Sequence, residues 1–164
     1  MSGLFRSDAR RRLRVDRSGI LGNMVDLPIS PARSRQMSLV KSTNTGPELV
    51  VRRLVHAMGY RYRLHVKTLP GKPDLVFPGR RKVVLVHGCF WHRHRKPSCR
   101  LARLPKSRLD FWEPKLEGNR QRDIANKRLL RRTGWSVLEV WECELKNLET
   151  LEARLRYFLE DEVN

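Results

Sequence analysis

Long apolar runs are missing from this 164-residue sequence, and none approaches the roughly 18 consecutive apolar residues of a membrane-spanning helix. No membrane association is expected. Acidic residues are scarce: 17 Asp and Glu stand against 35 Lys and Arg, a net charge of +18. A surplus of that size calls for a polyanionic partner, and nucleic acid is the natural one, because clustered cations bind phosphate backbones through counterion release. A merely solubilising surface is the alternative, and charge alone says nothing about catalysis. Cysteine is also sparse. Cys89, Cys99 and Cys143 are odd in number, and no apolar secretory segment opens the sequence, so a disulfide framework is not expected. A reducing compartment, the cytoplasm, fits better, and metal ligation becomes the competing use of the thiols.

The length suits one domain with a single core. Residues 1–23 carry an Arg cluster, few large apolar residues and no period, and read as a disordered basic arm, an upstream start or added sequence. The domain is expected over 24–164. Thr45, Pro47 and Glu48 form a helix-start signature, and Leu49, Val50, Leu54, Val55 and Met58 then recur at helical spacing before Gly59. This predicts a helix over 46–58. Tyr60, Tyr62, Leu64 and Val66 alternate with Arg61, Arg63 and His65, the period of a half-buried strand. The short runs 74–77 and 82–87, joined by Pro78-Gly79-Arg80, predict a hairpin within a sheet. Residues 88–111 show no period. A second helix is expected to open at Pro114 and end near Thr133-Gly134, followed by a strand from Trp135 to Trp141 and a terminal helix carrying Leu148, Leu151, Leu155, Phe158 and Leu159.

Several residues in this order can do chemistry. Asp74 opens the first hairpin strand and Val86-His87 closes the second, so the Asp74 carboxylate and the Val86 carbonyl can share a hard cation such as magnesium. A turn aspartate bonding its own backbone is the alternative. His87 and His92 flank Gly88-Cys89-Phe90-Trp91 and can serve as general bases or phosphate donors, or be structural or metal-bound. Cys89, His94, Cys99 and Cys143 supply the ligand set of a closed tetrahedral zinc site, although their spacing fits buried free thiols equally well. Phe90, Trp91 and Trp112 are either core rings or wedges between base steps. Lys115, Asn119 and Asp123 fall on one helical face, which a plain solvated face would also explain.

Taken together, the string His87-Gly88-Cys89-Phe90-Trp91-His92-x-His94, preceded by Leu69-Pro70-Gly71-Lys72-Pro73-Asp74 and followed by Phe111-Trp112 and Trp141-Glu142-Cys143, closely resembles the very-short-patch-repair (Vsr) endonucleases. The resemblance runs from about Arg33-Ser34 through Glu144. It implies an α/β fold of the restriction-endonuclease-like type, a mixed central sheet flanked by helices, with a structural zinc site. It implies magnesium-dependent nicking of one strand on the 5′ side of thymine in T:G mismatches left by deamination of 5-methylcytosine. The partner is then mismatched double-stranded DNA, with mismatch-repair proteins as further candidates, and a one-strand cut needs only a monomer. In that family the residues matching Asp74 and Val86 bind magnesium, those matching His87 and His92 assist the reaction, and the one matching Asp123 orients His92. Glu48 matches a position near the metal waters. Phe90, Trp91 and Trp112 match an aromatic wedge, Met37 an apolar residue reaching the opposite groove, and Lys115 and Asn119 mismatch contacts. One departure is that four residues, Arg95-Lys96-Pro97-Ser98, separate His94 from Cys99, where the family often has fewer, which lengthens the loop. Two other readings share these residues: a restriction-type nuclease with another DNA target, and a non-catalytic zinc-stapled DNA-binding module.

Overall fold

The structure, a computed structural model, describes residues 43–161. The arm over 1–23, the start at Met24 and the groove contact expected of Met37 lie outside the described residues.

Helix α1, Gly46–Ala57, starts where its cap signature places it: the Thr45 hydroxyl accepts from the Glu48 amide at 3.4 Å, and Pro47 occupies the first turn. It stops at Met58, with Gly59 at φ 88°, a left-handed conformation that glycine adopts without steric cost. Strands β1, Leu75–Phe77, and β2, Lys82–His87, form the expected antiparallel hairpin, with Leu75 opposite Val84. Helix α2, Leu109–Arg132, crosses back to β3, Ser136–Trp141, which runs parallel to β2 with Lys82 beside Ser136 and His87 beside Trp141. Helix α3, Leu148–Glu160, follows, capped by Asn147. The three strands make one mixed sheet in the order β1-β2-β3.

Strand alternation divides the sheet's two faces. Val84, Val86 and Val140 pack with Val51 and Val55 of α1 and Leu151, Leu155 and Leu159 of α3. Val76 and Val83 pack on the other side against Leu130 of α2. Leu85 and His87 share the face of Val83, and parallel pairing puts Val137, Glu139 and Trp141 on that face too. The α2 side of the sheet is therefore apolar at one end and polar where β2 and β3 finish.

Two expectations are corrected. Residues 60–66 are not a strand: among the described residues their only pairing is a single bridge between Arg63 and Val76, and His65 at φ 46° turns the chain away from extended geometry. The alternation does report packing, since Tyr60 and Tyr62 lie against the α1/α3 core. Helix α2 begins at Leu109 rather than Pro114, which sits inside the second turn. The amides of Phe111 and Trp112 both donate to the Arg108 carbonyl, so a full turn forms before the proline, and Trp112 stands on the helix itself.

Candidate active site

The end of β2, the loop that follows it and the middle of α2 meet in one polar corner. At the head of β1, the Asp74 carboxylate accepts from the Val86 amide at 2.7 Å, so the hairpin does bring it to the far end of β2. Burial pushes the Asp74 carboxyl up to about 6; the Val86 hydrogen bond opposes this, the nearby Glu48 adds to it, and Arg52 and His92 oppose it. A largely buried carboxylate with so elevated a pKa is short of cationic partners.

Arg52 does not fill that need. Its guanidinium is committed to Glu48 Oε2 at 2.8 Å and Asn44 Oδ1 at 2.5 Å, with His65 Nε2 3.0 Å away. Glu48 and Arg52, four residues apart on α1, are both buried. Glu48 also receives the Thr45 hydroxyl at 3.0 Å and the Asn44 amide at 2.9 Å. Its side chain thus caps the helix and lies close enough to Asp74 to repel its charge.

Tight turns built on the His92 amide to the Gly88 carbonyl and the His94 amide to the Cys89 carbonyl fold the loop after β2 back over the strand ends. They bring the His92 ring 4.3 Å from that of His87, between centroids. His92 Nδ1 lies 2.6 Å from Asp123 Oδ2 on α2, a short charge-assisted contact that fixes the ring. His87 is buried, with its Nε2 3.2 Å from Glu139 Oε1 on β3, although the approach is too oblique for a hydrogen bond. Lys127, one turn beyond Asp123 on α2, donates to the same Glu139 oxygen at 2.6 Å. Burial raises the Glu139 carboxyl, but His87 and Lys127 outweigh it and hold the group at about 2. Among the described residues, ligand atoms of His87, His92 and Asp123 all fall within 4.8 Å of one another.

The same loop builds a second cluster. Cys89, His94, Cys99 and Cys143 each bring a ligand atom within 4.8 Å of the others. His94 Nδ1 stands 3.6 Å from Cys89 Sγ and 3.5 Å from Cys143 Sγ. Tetrahedral zinc with ordinary Zn–S and Zn–N bonds holds S and N ligands roughly 3.6 Å apart, so the donors fit such an ion. Burial pushes the Cys89 thiol up to about 12 and lowers the His94 pKa, so the histidine is neutral and ready to ligate while the Cys89 thiolate requires a bound cation. The Arg95–Ser98 segment returns Cys99 to the cluster. His94 stacks on Trp141 at 4.1 Å, and the Cys89 amide donates to Glu142, tying the cluster to the end of β3.

Phe90, Trp91 and Trp112 are neither core rings nor fully exposed ones. They are half-buried and meet edge to face at centroid distances of 5.1, 5.4 and 6.0 Å. Phe111, 41% exposed, extends the group, and the Lys115 ammonium lies 5.2 Å from its ring and 5.8 Å from that of Trp112. Asn119 donates its side-chain amide to the Trp91 carbonyl at 3.1 Å, holding the aromatic loop on α2. Sequence reasoning missed Arg52, Lys127 and Glu139. A glutamate among the apolar residues of β3 and a lysine four residues after Asp123 were the available signals.

The arrangement can bind a divalent cation beside Asp74, present two imidazoles to a phosphate and offer an aromatic surface beside them. A sequence model of the family described as DNA mismatch endonuclease Vsr matches residues 26–99. The chain is 56% identical over 133 residues to the type II nicking enzyme V.XorIIP of Xanthomonas oryzae pv. oryzae, covering 80% of this chain and 96% of that protein. It is 42% identical to the type II nicking enzyme V.NmeAIP of Neisseria meningitidis, across 80% of this chain and 92% of the relative. With the DNA mismatch endonuclease Vsr of Escherichia coli it shares 37% identity, across 78% of this chain and 80% of that one. Fold, polar corner and relatives converge on a nuclease acting on DNA, and the chain belongs to the DNA mismatch endonuclease Vsr family.

Proposed function

We propose that this protein is a magnesium-dependent endonuclease that nicks double-stranded DNA on the 5′ side of thymine in a T:G mismatch, on a restriction-endonuclease-like fold held by a structural zinc ion. The observation that carries this reading is the corner in which the Asp74 carboxylate, the His92–Asp123 pair at 2.6 Å and buried His87 converge at one end of the sheet.

Asp74 and the Val86 carbonyl are the residues to hold magnesium, and Glu48 lies near enough to order waters around it. When bound, the ion would supply neutralisation of phosphate charge and acidification of water. The chain's own residues do the rest. Asp123 engages Nδ1 of His92, which leaves Nε2 to exchange a proton with the reacting water or leaving oxygen, and the carboxylate stabilises the imidazolium that forms. His87 positions the phosphate. Cys89, His94, Cys99 and Cys143 would hold zinc, which would fasten the loop that follows His87 and carries His92.

Phe90, Trp91 and Trp112 wedge beside the mispair, where unstacking costs less than in paired DNA. Lys115 contacts the mismatch, Asn119 contacts it or fixes Trp91, and Met37 enters the opposite groove. The +18 charge supports binding to the duplex, with mismatch-repair proteins as possible further partners. A monomer suffices to cut one strand.

A second reading, nicking at another DNA target, is favoured by the naming of the 56% and 42% identical relatives as type II nicking enzymes. End-labelled duplexes carrying T:G, T:A or C:G at one position, each with and without magnesium, decide the matter. Mismatch nicking is expected from T:G alone and only with the metal. Equal cutting of paired DNA would favour the second reading, and binding without cutting would favour a non-catalytic module.

A further inference from the structure

The corner contains a second carboxylate–imidazole contact that the family reading leaves unused. Glu139 is a charged residue on a strand whose same-face neighbours are Val137 and Trp141, and it points at the enclosed Nε2 of His87. A partly buried ion pair is weak as a source of stability, since well-packed apolar residues in its place are often neutral or better. The Lys127–Glu139 pair therefore needs another explanation. Its placement supplies one. Asp123 and Lys127, one helical turn apart on α2, reach the two histidines in parallel: Asp123 touches His92 directly, and Lys127 clamps the Glu139 oxygen that faces His87.

We propose that Glu139, clamped by Lys127, is a positioning residue for His87: it accepts a hydrogen bond from Nε2–H, which holds that tautomer of the ring and leaves the Nδ1 lone pair to accept from a water at the phosphate. The proposal rests on the reading of His87 as phosphate-facing. The oblique 3.2 Å approach suits a contact that aligns when substrate arrives, because catalytic hydrogen bonds are often long or bent before then. The Lys127 bond fixes one glutamate oxygen, so the carboxylate cannot swing away from the imidazole. A carboxylate that orients an imidazole acts through the tautomer of the ring rather than through substrate contact.

The test uses the full zinc-loaded chain, a T:G duplex and magnesium, and compares Glu139→Met, Lys127→Met and His87→Ala with the parent. Glu139→Met, which removes the acceptor, is expected to slow single-turnover nicking about ten- to a hundredfold, the range for residues that orient a ligand or base, with duplex affinity unchanged. The ring ¹⁵N resonances of His87 should move away from the Nε2–H pattern. Lys127→Met, which leaves the glutamate in place, should shift both readouts less and in the same direction, and it keeps the test open if Glu139→Met fails to fold. A merely structural pair would lower melting temperature but leave the rate per folded molecule and the His87 resonances alone; that result overturns the proposal. If His87→Ala nicks at the parent rate, the catalytic reading of His87 fails, while the ¹⁵N spectra still decide whether Glu139 holds the ring.

Discussion

Asp74→Asn should make the protein more stable while it abolishes nicking. Burial raises the Asp74 carboxyl from an ordinary 3.8 to about 6. At roughly 1.4 kcal/mol per pH unit, the ionised group then costs up to about 3 kcal/mol of folding free energy. The sign follows from the raised value. Below pH 3.8 the acid is neutral in folded and unfolded chains alike; as pH climbs through 6 the folded chain must carry an anion it disfavours, and stability is lost. Asparagine stays neutral and keeps an oxygen for the Val86 amide. Urea unfolding with zinc present and magnesium absent should therefore find Asp74→Asn more stable at pH 8 by up to about 3 kcal/mol, falling to about half that at pH 5. Added magnesium should stabilise the parent and leave the variant unchanged, because only the carboxylate gains a cation. A variant no more stable than the parent at pH 8, or with the same advantage at pH 5, would refute the view that this carboxylate is held at a loss for a metal.

Cys99→Ser should lose zinc and melt at lower temperature, as read by metal analysis and calorimetry; full zinc content would remove Cys99 from the cluster. Arg52→Met should destabilise by about 3 kcal/mol in urea, since it strands the buried Glu48 anion; an unchanged midpoint would mean that Thr45 and Asn44 suffice for Glu48. Gly71→Ala should cost about 1 kcal/mol or more, because φ there is 71° and a Cβ would meet Asn126 Nδ2 at 2.9 Å. Nicking by that variant should need more magnesium, as the loop leads into Asp74, and a magnesium titration matching the parent would contradict this.

The caps and the hairpin were legible because their signals are local: Thr45, Glu48, Gly59 and the turn at Pro78–Arg80 act on neighbours in the chain. The alternation of Tyr60 and Tyr62 misled for a physical reason. Period two records which side chains face a core, and says nothing of whether the backbone finds a partner beyond Arg63. Pro114 looked like a helix opener because its missing N–H is harmless at the first position, yet the turn founded on the Arg108 carbonyl tolerates it farther in. At the corner, the recurring loop string pointed to Asp74, His87, His92 and the thiol cluster. Glu139 and Lys127 stayed hidden because their pairing depends on how α2 lies across β3, which no short spacing encodes.

Residues 87–94 interleave two machines in eight consecutive positions, with His87 and His92 facing the polar corner and Cys89 and His94 facing the thiols. An extra residue anywhere inside that stretch would throw one set out of phase with the other, so evolution has little freedom to lengthen or shorten it. Beyond His94 only the return of Cys99 is constrained. Size variation should accumulate there, where four residues, Arg95-Lys96-Pro97-Ser98, separate His94 from Cys99 in this chain.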